Sequence, residues 1–194
     1  MDSKAIRSLM RQRRRSLTER QQQSASNGLA EQLCRLPAFR YRQRIAFYLA
    51  NDGEIDPSLA MGVAERAGKS CLLPVLHPFK QNRLHFVRYR SGEPMEANRF
   101  GIAEPLLRGN RIQSMYAVDL ILLPLVAFDR RGNRLGMGGG FYDRTLSTRA
   151  PHTLLVGLAH SCQETDSIAR QSWDIPLDVI VTERDIIQIR HELG

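Results

Sequence analysis

The chain has 194 residues, 42% of them hydrophobic, which is enough for one compact domain with a proper core and too little for two independent domains of ordinary size. Its formal charge of +8 points to anionic partners: nucleic acid, a membrane surface, or a phosphorylated or carboxylate-bearing small molecule. No apolar run approaches the roughly 20 residues of a membrane span and no secretory pattern opens the chain, so a cytoplasmic protein is expected, and three widely spaced cysteines (Cys34, Cys71, Cys162) offer neither a disulfide framework nor a paired-cysteine metal site.

Seven basic residues fall in the first twenty positions (Lys4, Arg7, Arg11, Arg13, Arg14, Arg15, Arg20), against Asp2 and Glu19. Ser3 is a candidate cap for a basic helix over about 3–15, in which Ile6, Leu9 and Met10 form the narrow apolar stripe of a helix lying across a protein surface. Thr18 with Gln21 three residues on reads as a capping box, and Ala25, Leu29, Leu33 and Leu36 then recur at helical spacing until Pro37 ends the run. "RIAFYLA" (44–50) suits a buried strand, and "NDGEIDP" is a polar turn that leads, through an Asp56 cap and Pro57, into a helix stopping at Gly68. "CLLPVL" (71–76) reads as the next strand despite Pro74, and "RLHFVRY" (83–89) as a strand with one more exposed face.

Beyond a loop containing "GIAEP" (101–105), "DLILLPL" (119–125) is the most apolar segment and the candidate central strand. "TLLVGLA" (153–159) and "DVIVT" (178–182) are two further strands, and "ERDIIQIRHE" (183–192) reads as a terminal helix. Strands alternating with helices predict an α/β fold: a three-layer sandwich with a mostly parallel sheet and helices on both faces, Rossmann-like, in a single domain over residues 1–194.

Ligands of such sheets bind beyond the carboxyl ends of the strands, and the loop after "DLILLPL" is "VAFDRRGNRLGMGGG". Gly136, Gly138, Gly139 and Gly140 cannot form a stable helix interior, because each costs about 1 kcal/mol relative to alanine. In isolation they fit an empty tight turn better than a ligand site. Their neighbours favour a site: Arg134 and Arg144 offer guanidinium groups to phosphate, Asp143 offers an oxygen ligand to magnesium, and glycines before a helix let backbone N–H groups surround phosphate oxygens. The run is not a Walker loop, since Phe141 and Tyr142 stand where Lys and Ser or Thr would be, and it lacks the third glycine of the dinucleotide fingerprint.

The stretch "LPLVAFDRRGNRLGMGGGFYDR" (123–144) closely resembles the signature of the 5-formyltetrahydrofolate cyclo-ligase family, also called 5,10-methenyltetrahydrofolate synthetases. Weaker similarity follows the family's order elsewhere, through the basic N-terminal helix, "FYLANDGEID" (47–56), "LPVLHPF" (73–79), "GIAEP", "VGLAHSCQ" (156–163) and "DIPLDVIVT" (174–182). The resemblance implies a magnesium- and ATP-dependent conversion of 5-formyltetrahydrofolate to 5,10-methenyltetrahydrofolate, in which phosphorylation of the formyl oxygen precedes ring closure and ADP and phosphate are released.

By the same resemblance Arg134, Leu135, Gly136, Met137, Gly138, Gly139, Gly140, Phe141 and Tyr142 hold ATP, with Lys4 and Arg7 of the first helix on its phosphates. Arg134, Asp143 and Tyr142 become catalytic, Asp143 and Asp178 metal ligands, and Leu49, Glu54, Met137 and Phe141 folate contacts. Three departures from the family pattern stand out. Aligning Arg7 puts Ser3 at the usual lysine position, Gly139 replaces a lysine that some relatives carry, and Trp173 replaces a polar residue.

The expected partners are the two small molecules, with a monomeric chain and no membrane. The rival reading is a nucleic-acid-binding protein that uses "RQRRR" (11–15) as a backbone-contacting arm, although no aromatic ladder or known module accompanies the run. A non-catalytic relative that retains folate or ATP binding is the third. The five histidines show no metal-ligand spacing.

Overall fold

The computed structural model describes residues 2–169, 171 and 174–189. Helix α1 (Ser3–Arg15) is followed by α2 (Glu19–Arg35), which starts on the expected capping box: Thr18 Oγ1 accepts from the Gln21 N–H, and Gln21 Oε1 accepts from the Thr18 N–H. Pro37 ends that run by opening the short α3 (Pro37–Tyr41). Strand β1 (Arg44–Ala46) leads through a loop to α4 (Ser58–Arg66), whose first N–H is met by Asp56 Oδ1 at 2.9 Å, and Gly68 turns the chain out of the helix at φ +76°.

Strands β2 (Ser70–Leu76), β3 (Leu84–Arg88), β4 (Met95–Ala97), β5 (Ala103–Pro105) and β6 (Ile112–Gln113) precede the central β7 (Leu120–Pro124). A hairpin of β8 (Ala127–Phe128) and β9 (Arg134–Leu135), helix α5 (Phe141–Leu146), then β10 (Leu154–Leu158), β11 (Val179–Val181) and β12 (Ile186–Gln188) follow within the described residues. The main sheet runs β12-β11-β10-β7-β1-β2-β3-β6. The five strands from β11 to β2 are parallel and the flanking pairs antiparallel.

Strand alternation separates the two faces. Ile45, Leu120, Leu122, Val156 and Val179 pack under Leu29, Leu33, Ala60 and Ala64 of α2 and α4. Ala46, Leu72, Ile121, Leu155 and Ile180 face the opposite side, where Leu146 of α5 and Leu177 cover them. Helices therefore lie on both faces of a mostly parallel sheet, as the sequence predicts. No helix among the described residues is long and apolar enough to cross a membrane.

Two local expectations are corrected. "GIAEP" contains strand β5, paired with β4. The segment read as a terminal helix is strand β12 over Ile186–Gln188, antiparallel to β11, and residues 190–192 of that prediction lie outside the described residues. Thr182 Oγ1 accepts the N–H groups of Arg184 and Asp185, closing a tight turn that returns the chain along the open edge of β11. That edge's unpaired N–H and C=O groups then recruit a segment whose own propensity is ambiguous.

Candidate active site

From β1 the chain crosses to β2 by way of α4 on one face, whereas from β7 it crosses the other way to β10 by way of α5 on the opposite face. The carboxyl ends of β1 and β7 thus diverge at a topological switch point, where a doubly wound sheet leaves a crevice. A cavity of about 1350 Å³ occupies it. One wall comes from the loop after β7, a second from the loop after β1, and a third from Asn98, Phe100, Ile102 and Glu104 around the β4–β5 hairpin.

The first wall depends on buried Asp129. Its Oδ1 accepts the N–H groups of Arg131 and Asn133, and its Oδ2 accepts Asn133 Nδ2 and the Ile168 N–H, so "DRRGN" becomes a tight turn that delivers Arg134 to the cavity. The Arg134 side chain is only 7% exposed; its Nη2 donates to Asp143 Oδ1 at 2.5 Å and its Nη1 to the Ile175 carbonyl. Between them the glycines carry the backbone where side chains would obstruct it, with Gly138 at φ +94° and Gly140 at φ +66°. Arg7 Nε donates to the Gly136 carbonyl at 2.8 Å and Arg144 Nη1 to the Gly139 carbonyl at 2.7 Å. Guanidinium groups and side-chain-free backbone together make a wall suited to an extended anion.

The second wall carries the opposite charge. Asp52 (φ +53°) and Gly53 (φ +74°) form a left-handed turn after β1 that places Glu54 on the cavity with its side chain 12% exposed. Burial pushes the Glu54 carboxyl up to about 7; the Arg14 charge and the Asn51 N–H oppose that shift and the Asp52 charge adds to it. Burial and the nearby Glu54 charge raise the Tyr142 phenol, and the same pair raises Tyr48, whose hydroxyl donates to the Ile55 carbonyl at 2.6 Å. Both phenols are neutral at physiological pH. Phe141 meets Phe100 edge-on at 5.8 Å, an aromatic corner between the glycine wall and the third wall.

Of the residues proposed from sequence, the structure brings Arg7, Leu49, Glu54 and the whole of 134–143 to one cavity. It does not gather Lys4 or Asp178. Lys4 is exposed and is not part of the cavity lining, while Ser3, one turn before Arg7, lines it. On α1 it is therefore Ser3 and Arg7 that the structure brings to the cavity wall. Asp178 is absent from the lining; its Oδ2 accepts the Leu155 N–H at 2.7 Å at the start of β10, so the structure does not bring it together with Asp143. Trp173 lies outside the described residues.

The described residues contain no group of three or more His, Cys, Asp or Glu able to hold a metal alone. Asp143 and Asp174 are nevertheless both cavity carboxylates.

Sequence reading missed Asn98, Phe100, Gln171 and Asp174, which come from loops with no periodic signal, and it missed Arg14. Arg14 continues the Ile6, Met10 stripe at four-residue spacing and is fully buried. "RQRRR" is engaged in contacts within the chain: Arg11, Arg14 and Arg15 all bind the Asp52 carboxylate, and Arg13 donates to the Cys162 carbonyl.

A doubly wound sheet whose switch-point crevice sets a guanidinium-and-glycine wall against an apolar, carboxylate-bearing wall defines a small-molecule-binding α/β protein. Within that class the chain belongs to the 5-formyltetrahydrofolate cyclo-ligase family, whose model matches residues 1–183. It is 41% identical over 178 residues to the 5-formyltetrahydrofolate cyclo-ligase of Haemophilus influenzae, covering 91% of this chain and 95% of that one. To the Escherichia coli K12 protein of the same name it is 42% identical over 175 residues, covering 90% and 96%. The solution NMR structure of Aquifex aeolicus 5,10-methenyltetrahydrofolate synthetase superposes with a TM-score of 0.85 at 31% identity, covering all of this chain and 96% of that one.

Proposed function

We propose that the protein is an ATP-dependent ligase that closes 5-formyltetrahydrofolate to 5,10-methenyltetrahydrofolate with release of ADP and phosphate. The observation that carries this reading is the pairing of two unlike walls in one cavity: the Arg134–Tyr142 loop for a triphosphate, and the Leu49–Glu54 loop with Phe141 and Met137 for a flat heterocycle that carries N–H donors. Family membership supplies the reaction that joins them.

In this reaction the formyl oxygen attacks the terminal phosphorus and the bond to ADP breaks. The folate's second nitrogen then attacks the activated formyl carbon, losing its proton as phosphate departs. Activation turns a poor leaving oxygen into a good one, so the protein contributes positioning and charge stabilisation. Arg134 is placed to meet charge developing on the transferred phosphate, Arg7 supports the glycine wall from α1, and Glu54 accepts hydrogen bonds from the heterocycle's amino and ring N–H groups. Phe141 offers a face for stacking, held against Phe100.

The carboxylates also fit a magnesium ion, which takes one or two protein oxygens and draws its other ligands from phosphate and water. Asp143 would hold it, with Asp174 the second carboxylate of the same cavity. Bound there with ATP, the ion would neutralise phosphate charge. The test is ADP release: it should require 5-formyltetrahydrofolate and match it one for one, and ADP release indifferent to folate would overturn the reading.

A further inference from the structure

We propose that Arg14 is a positioning residue for Glu54, holding the turn that carries this carboxylate from beneath and supplying the buried positive charge that it faces. The inference rests on the reading of Glu54 as a folate contact.

Arg14 lies seven residues after Arg7, two turns along the same helix, and its side chain is 0% exposed. A guanidinium is buried at great cost unless its N–H groups are engaged. Here Nε donates to the Asp52 carbonyl at 2.8 Å, Nη2 to Asp52 Oδ2 at 2.9 Å, and Nη1 reaches the Leu125 carbonyl at 3.4 Å. Nη2 also lies 3.8 Å from Glu54 Oε1. One planar group thus binds the turn's backbone and its acidic side chain while facing the next carboxylate along.

The middle of the turn is fixed as well. The Gly53 carbonyl accepts Gln22 Nε2 at 3.3 Å and lies 3.2 Å from His160 Nε2. The Gly53 carbonyl can only accept, so His160 Nε2 carries the proton and donates to it, and burial favours the neutral ring. A side chain at Gly53 would place Cβ 3.2 Å from the Arg14 carbonyl, so α1 and the turn are packed without room between them.

A purely structural ion pair would be complete with Asp52, which already has Arg11 and Arg15. Arg14 does more because of what surrounds Glu54. Asp52 and the Asn51 N–H face it from its own turn, Tyr48 stands at the end of β1, and Tyr142 comes from α5. Among these groups Arg14 is the cation. Removing its charge while keeping a polar side chain should make Glu54 harder to ionise, and removing its fork while keeping the charge should loosen the turn without that effect.

The experiment compares Arg14→Gln and Arg14→Lys with the unmodified protein, using carboxyl-labelled glutamate and NMR titration, with the Glu54 signal assigned by its loss in Glu54→Gln. Glu54 should titrate at higher pH in Arg14→Gln and close to its normal position in Arg14→Lys. The KM for 5-formyltetrahydrofolate should rise about tenfold in both, with the KM for ATP within about twofold of normal. A folded Arg14→Gln protein with unchanged Glu54 titration and folate KM overturns the proposal, as does an equal loss toward both substrates. If Arg14→Gln does not fold, Arg14→Lys decides: an unchanged folate KM overturns the proposal, and a selective rise supports it. Absence of turnover in the unmodified protein would instead overturn the ligase reading, and the Glu54 titration would still test the role of Arg14.

Discussion

Arg134 and Asp143, nine residues apart and separated by four glycines, meet at 2.5 Å between Nη2 and Oδ1. The glycine run is therefore a closed loop whose two charged ends touch, and a triphosphate held along it would reach the guanidinium and the carboxylate at one place. Arg134→Ala should lower turnover about a hundredfold or more, as expected for a donor aimed at developing charge. Asp143→Asn should raise the magnesium concentration needed for half-maximal rate, read from a magnesium titration. The double variant should be less impaired than the two single losses combined, because the two residues act on the same group.

The glycines are not equivalent. A Cβ at Gly139 would stand 2.9 Å from two ring carbons of Phe141, whereas a Cβ at Gly136 meets nothing within 4 Å among the described residues. Gly139→Ala should push Phe141 off its corner with Phe100 and raise the KM for folate. Gly136→Ala should leave the melting temperature unchanged and weaken ATP alone, since the added methyl group projects into cavity space rather than against a described side chain. Isothermal titration with each substrate separates the two effects.

Glu54 links stability to pH with a definite sign. Its carboxyl stands near 7 in the folded protein against an ordinary 4.5, so between these values the native state holds a proton that the unfolded chain has released. Stability from this group is highest below about 4.5, falls as pH rises to about 7 and levels off above it. Glu54→Gln should therefore melt above the unmodified protein at about pH 8 and alongside it at about pH 5, while binding folate more weakly. Folate affinity of the unmodified protein should rise with pH through about 7, as the carboxylate forms.

The basic helix should not behave as a nucleic-acid arm. Three of the guanidiniums of "RQRRR" are spent on Asp52 and a fourth on the Cys162 carbonyl. Fluorescence anisotropy with a short RNA should show only weak binding at low salt that vanishes near physiological ionic strength.

The sheet was readable from sequence because β2, β7, β10 and β11 are buried on both faces and so are nearly continuous apolar runs, and α2 because Thr18 and Gln21 signal its start. Strand β12 was not, since Ile186, Ile187 and Ile189 fit either period and the open edge of β11 decided between them. The glycine wall was legible through its charged neighbours Arg134, Asp143 and Arg144 and the family resemblance of 123–144, since the glycines alone fit an empty turn. The third wall was not, because Asn98 and Phe100 reach the cavity from a hairpin whose position depends on tertiary packing. Arg14 carried a faint signal, a charge at the next place of an apolar stripe, and its partner Asp52 lies thirty-eight residues away.

The most direct measurement mixes the purified protein with magnesium, ATP and 5-formyltetrahydrofolate and follows absorbance of the methenyl product. The predicted result is a signal that grows with time, disappears when ATP or magnesium is omitted, and is all but lost in Arg134→Ala. ATP and folate binding to a well-folded protein that forms no methenyl product would contradict it.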